Sequence, residues 1–143
     1  MMGVRKGYQL VAAVVDSGFG ESVLPPDLLP GELQPSAMSK AGGRYRAANG
    51  TRIPNLGQQQ TYIRTDEGHL CGMGFQIADV ERPLVAVSQL AAAGNKVWLG
   101  AKHGEIVNDK TGRRIQLQRL RGIYIVRMWT PSKPCPGSTG PGK

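Results

Sequence analysis

Residues 14–25 read VVDSGFGESVLP: an apolar run halts at Asp16, passes a hydroxyl and a glycine, and turns apolar again. A carboxylate ending a buried strand is costly unless something hydrogen-bonds it, so the reading of the fold turns on what receives Asp16. Upstream, YQLVAAVV (Tyr8 to Val15) is almost wholly apolar toward its end and predicts a strand buried on both faces. Downstream, Ser17 and Gly18 permit a tight turn, and Pro25-Pro26 forbids a helix directly after it.

Those prolines exclude two glycine-based sites. GFGESV begins like a dinucleotide fingerprint, but Val23 occupies the third glycine position and no helix follows to hold a pyrophosphate. A serine nucleophile elbow needs glycine two residues before Ser17, where Val15 stands.

Short strands and turn signals continue along the chain. Twenty Gly and ten Pro in 143 residues suit an all-β domain of short strands. PPDLLPGELQPSAMSKAGG reads as a loop, because prolines deny it ladder hydrogen bonds. Asn49-Gly50, between extended flanks, predicts a projecting hairpin. QQQTYIRT and CGMGFQIADV flank DEGH as a second hairpin, and GEIVNDKTGRRIQLQRL forms a third around Asp109 to Gly112. SQLAAAG offers an N-cap serine, helix formers and a terminal glycine, which predicts one short helix, followed by the strand KVWLG. GIYIVRMW is a last strand, giving about eight in all. One domain over residues 1–130 is expected, with residues 131–143 a disordered Pro/Gly tail or linker.

The formal charge is +8, concentrated in GRYRAANGTR and KTGRRIQLQRLRG. This permits nucleic-acid contact without establishing it; a solvated basic face on alternate strand positions is the preferred explanation, and two Phe and four Tyr make a thin base-stacking surface. The N-terminal apolar run ends in Asp16 without a signal-peptide cleavage site, and no stretch suits a membrane helix. An intracellular, cytoplasmic protein without membrane attachment is expected, and Cys71 and Cys135, in unlike settings, are expected to stay reduced. His69 and Cys71 alternate along a strand, but two ligands do not make a zinc site, and His103 reads as a turn residue. Neither a metal nor an organic cofactor is expected.

VVDSGFGESVLP resembles the active-site loop of retroviral-type aspartic proteases, in which apolar residues precede Asp-Ser/Thr-Gly-Ala, two variable residues, Ser/Thr, Val, Leu/Ile and often Pro. Asp16, Ser17, Gly18, Ser22, Val23, Leu24 and Pro25 match in register. RPLVAVSQLAAAGNKVWLG, then GEIVNDKTGRRI and GIYIVRMW, is similar to the end of the protease region in copia-type retrotransposon polyproteins, and AANGTRIPNLG to the segment between. The likeness covers about residues 8–130 with its blocks in order.

The resemblance implies a retropepsin-like fold, a partly closed single-lobe barrel with one short helix. Asp16 would be the catalytic carboxylate, paired with its twin in a homodimer, and the substrate a polyprotein peptide bond. Ser17 would hydrogen-bond across the dimer and Gly18 would let the two loops approach. Asn49 and Gly50 would form a flap over the peptide, and LVAVSQL would brace the Asp16 loop. Two positions depart from the family pattern: Phe19 stands where a small residue lines the substrate cleft, and Gly20 where a small or polar one is usual. A phenylalanine there narrows or blocks a pocket. The alternative is therefore a catalytically inactive remnant that acts as a basic protein- or nucleic-acid-binding module.

Overall fold

Alternation, rather than continuous burial, governs the first strand. The computed structural model describes residues 7–46 and 50–133, and β1 (Tyr8–Asp16) buries Val11, Ala13 and Val15 while leaving Leu10 and Ala12 exposed. The expectation of burial on both faces is corrected: among the described residues no layer covers the outer face of β1, so it behaves as a strand of a one-sided sheet.

The chain is all-β. After β1 come β2 (Val23–Leu24), α1 (Ala37–Lys40), β3 (Arg44–Arg46), β4 (Arg52–Thr65), β5 (Leu70–Ala78) and β6 (Leu84–Ala86). Then follow α2 (Val87–Ala92), β7 (Asn95–Leu99), β8 (His103–Asn108), β9 (Arg114–Leu120) and β10 (Ile123–Pro131). Strands neighbour one another in the order β3-β4-β5-β2-β6-β1-β10-β9-β8-β7, and β10 also pairs with β4 through Met128↔Thr65 and Trp129↔Arg64. The ladder from β4 round to β10 therefore closes into a ring of six strands, with β9, β8 and β7 extending from it as an antiparallel meander.

Two parallel pairings interrupt the antiparallel pattern and position the loop after Asp16. β6 runs parallel to the end of β1, with Val15↔Val85 and Asp16↔Ala86, and antiparallel to β2. Since β6 lies between two strands that are consecutive in sequence, residues 17–22 must pass over its end. β2 in turn runs parallel to β5. Inside the ring, Val11, Leu24, Phe75, Ile77, Val85 and Met128 pack as one apolar cluster.

Among the described residues two helices form where one is expected. The proline-rich segment reads as loop throughout, yet its prolines end at Pro35, and Ser36 and Ser39 then make a reciprocal capping box that starts α1. Ten strands among the described residues replace about eight, because two-residue β2 and three-residue β3 and β6 are too short for alternation to mark them. The expected first two hairpins share one long strand, β4, which bulges between Asn55 and Gly57. Gly57 has φ 139°, and a Cβ there would stand 2.5 Å from the Gln34 carbonyl oxygen, so only glycine fits. β10 runs to Pro131, one residue past the expected domain boundary, and the tail beyond Lys133, with Cys135, lies outside the described residues.

The turn joining β9 to β10 gives a direct test of local strain. Ile123 pairs with Leu120, so Arg121 and Gly122 alone make the turn, with φ of 52° and 82°. Both values are positive, the pattern that favours Asn-Gly, and arginine pays a left-handed backbone cost there. Arg121→Asn is expected to stabilise the protein by about 1 kcal/mol. Urea unfolding should show a higher midpoint at unchanged slope; a lower midpoint would mean that the Arg121 side chain contributes more than its backbone costs.

Candidate active site

Asp16 ends β1 half-buried, and its Oδ1 accepts a 2.7 Å hydrogen bond from the Gly18 amide. This Asx turn explains how a strand can run into a carboxylate: the backbone amide two residues on receives it. Oδ2 accepts no hydrogen bond among the described residues, and Ser17 and Gly18 are exposed. An accessible carboxylate oxygen on a fixed strand end can take a proton from water, and a second such group nearby would have to share one.

The rest of the loop is tied down by the segment that follows β6. Ser22 is fully buried: its Oγ accepts from the Ala86 amide at 3.0 Å, its amide donates to Gln89 Oε1 at 2.8 Å, and its carbonyl accepts from the Gln76 amide. Gln89 Nε2 donates onward to the Gly74 carbonyl at 2.9 Å. Ser88 Oγ donates to the Gly20 carbonyl at 3.0 Å. LVAVSQL thus braces the loop. Ser88, however, is not the helix cap: α2 starts at Val87 with Ala86 as its N-cap, and the hydroxyl reaches across to the loop instead of folding back on its own helix.

The hairpin of β3 and β4 meets the same loop. Arg44↔Pro54, Tyr45↔Ile53 and Arg46↔Arg52 pair its arms, so residues 47–51 connect them. Gly50 is exposed with φ 87°, and Asn49 lies outside the described residues. Phe19 stacks on Tyr45 of β3, with ring centroids 5.7 Å apart and planes inclined by 21°. Burial raises the pKa of the Tyr45 phenol, the hydrogen bond from Asn55 works against this, and the charge of Glu21 adds to it. Loop and hairpin are therefore linked by an aromatic contact and by the Glu21 field.

Beside the loop lies a cleft of about 390 Å³, walled by Gly20 and Ser22 of the loop, Gln58 and Gln60 of β4, Gln76 of β5 and Ser88 of α2. Asp16 is not part of this wall. Gly20 is thus placed at a cleft, whereas Phe19 faces the hairpin.

Asn55, which the sequence reading passed over, holds the base of this assembly. Its Oδ1 accepts from the Gly57 amide at 2.8 Å and from Ser36 Oγ at 3.2 Å, and its Nδ2 donates to Tyr45 Oη at 3.1 Å and to Gln76 Oε1 at 2.8 Å. The amide thereby fills all of its hydrogen-bonding capacity. The one sequence signal for it was an Asn two residues before a glycine, the mark of a bulge.

Among the described residues no group of three His, Cys, Asp or Glu side chains is placed to hold a metal. His69 and Cys71 do line a common cavity, and His103 opens β8 with its ring edge-on to Trp98 instead of sitting in a turn. No helix among the described residues is long and apolar enough to cross a membrane. No protein-family model matches the chain, and no curated protein or solved structure matches it either.

Proposed function

We propose that the chain is a retropepsin-like aspartic endopeptidase of the copia retrotransposon type, a homodimer that cleaves polyprotein peptide bonds with one Asp16 from each chain. The observation that carries this reading is the placement of Asp16 on the end of β1, on a loop that crosses β6 and touches the β3–β4 hairpin through Phe19. In the dimer, two Asp16 carboxylates share a proton; one activates water and the other protonates the scissile carbonyl. The hairpin covers the peptide, and the cleft beside Gly20 receives part of it. The shared-dyad idea has a direct test: cleavage of a broad peptide pool at mildly acidic pH should fall per chain on dilution, as dimers dissociate. A monomer cleaving at full rate would overturn it.

A second reading, an inactive remnant serving as a basic binding module, is favoured by the Phe19–Tyr45 stack, which joins the hairpin to the loop, and by the charge of +8. Phe19→Ala separates the two. Losing the stack is expected to cost about 1 kcal/mol of stability and, for a protease, to raise cleavage severalfold by freeing the hairpin. No cleavage by either protein, together with salt-sensitive nucleic-acid binding, would select the module.

A further inference from the structure

A second cavity, of about 340 Å³, opens between the β4–β5 ribbon, α2 and the β8–β9 hairpin. Its walls are largely apolar, built from Ile63, Met73, Leu90, Ile106 and Ile115. A volume near the lower end of the roughly 300–1,000 Å³ range of small-molecule sites calls for a small ligand.

The polar groups of the wall divide into committed and free. Asn95 Nδ2 donates to the Leu90 carbonyl, and Asn108 Nδ2 donates to Asn95 Oδ1. Asn108 Oδ1 accepts from the Lys110 and Thr111 amides and the Thr111 hydroxyl, and both ends of the Gln89 amide are engaged by the Asp16 loop and β5. The Arg113 guanidinium and the His69 imidazole have no hydrogen-bond or ion-pair partner among the described residues. The nearby cations differ: Arg114 is paired with Glu105 and Lys96 with Asp109. No acidic residue lines the cavity. Arg113 is exposed and so stands at its open side.

We infer that this cavity binds a small amphipathic carboxylate, its apolar chain among Ile63, Met73 and Leu90 and its carboxylate on Arg113, with His69 beside it. Apolar walls select the chain. The planar guanidinium matches a carboxylate in a two-pronged pair, and a single cation at the rim suits a monoanion. The cavity shares Gly74 and Gln89 with the cleft beside the Asp16 loop, but Asp16 does not line it, and its detection needs no proteolysis.

Octanoate below its micellar range is the probe, with octanol supplying the same tail without charge and acetate the charge without a tail. Cys71 lines the cavity, so in a Cys135→Ser background octanoate should slow maleimide labelling of Cys71 and shift the amide resonances of β5, α2 and the β8–β9 hairpin. Arg113→Gln should weaken octanoate about tenfold and leave octanol unchanged. Octanol binding as tightly as octanoate, shifts scattered over the surface, or an Arg113→Gln protein with unaltered octanoate affinity would each overturn the assignment.

Discussion

Asp16→Asn is expected to abolish peptide cleavage while leaving the protein folded. Asparagine retains the oxygen that accepts from the Gly18 amide at 2.7 Å, so the Asx turn keeps its one internal bond. What disappears is the ability to take and return a proton. In a homodimer a single substitution removes both carboxylates, and general acid–base catalysis by positioned side chains contributes roughly 10²- to 10⁴-fold. Loss at or beyond the upper end of that range is therefore expected, measured as initial rates at matched dimer concentration, with circular dichroism and thermal unfolding unchanged. Cleavage within a few-fold of the unsubstituted protein would remove Asp16 from the mechanism.

Asn55→Ala is expected to be the most destabilising single change near the site, at about 3 kcal/mol. Four hydrogen bonds end on this one buried side chain. Each contributes roughly 0.5–1.5 kcal/mol net, and the buried partners left without one add desolvation cost. The bulge at Gly57, the Tyr45 hydroxyl and the Ser36 cap of α1 lose their common anchor together. Urea unfolding gives the magnitude, and native-state hydrogen exchange should show faster opening of β3 and the start of β4 before any change in β1. A loss below about 1 kcal/mol would mean that water replaces the amide without strain.

The elements legible in the sequence were those whose signals are local. The apolar run YQLVAAVV marked β1, though not its one-sided burial, DEGH and NDKTG marked two hairpins, and Gly-Ile-Tyr marked the start of β10. Asp16 was legible as a candidate because an acid after an apolar run needs a partner, and Gly18 supplies it two residues away. The bracing of the loop was expected, but its chemistry was hidden. Ser88 and Gln89 look like helix residues from their neighbours, while their side chains answer to Gly20 and to Ser22, 68 and 67 positions earlier. Tyr45 and Asn55 were missed for the same reason, since the groups that engage them lie on other elements. Phe19 stood out as a departure from a family pattern, and the structure gives it a partner that no spacing rule could name.

Closure of the six-strand ring also sets an order of events during synthesis. β10 is made after every other described strand, yet it pairs with β1 from Tyr8↔Pro131 to Val14↔Ile125, and with β4 and β9 as well. Until residue 131 has left the ribosome, the exit-side edges of β1 and β4 have no partner, and the apolar inner face of β1 stays open to water. The β4–β5 and β8–β9 hairpins can form as they emerge; the ring cannot. A nascent chain from which Ile123 has not yet emerged should therefore remain protease-sensitive and hold chaperones, and emergence of the 9 residues of β10 should convert it in one step to the resistant state.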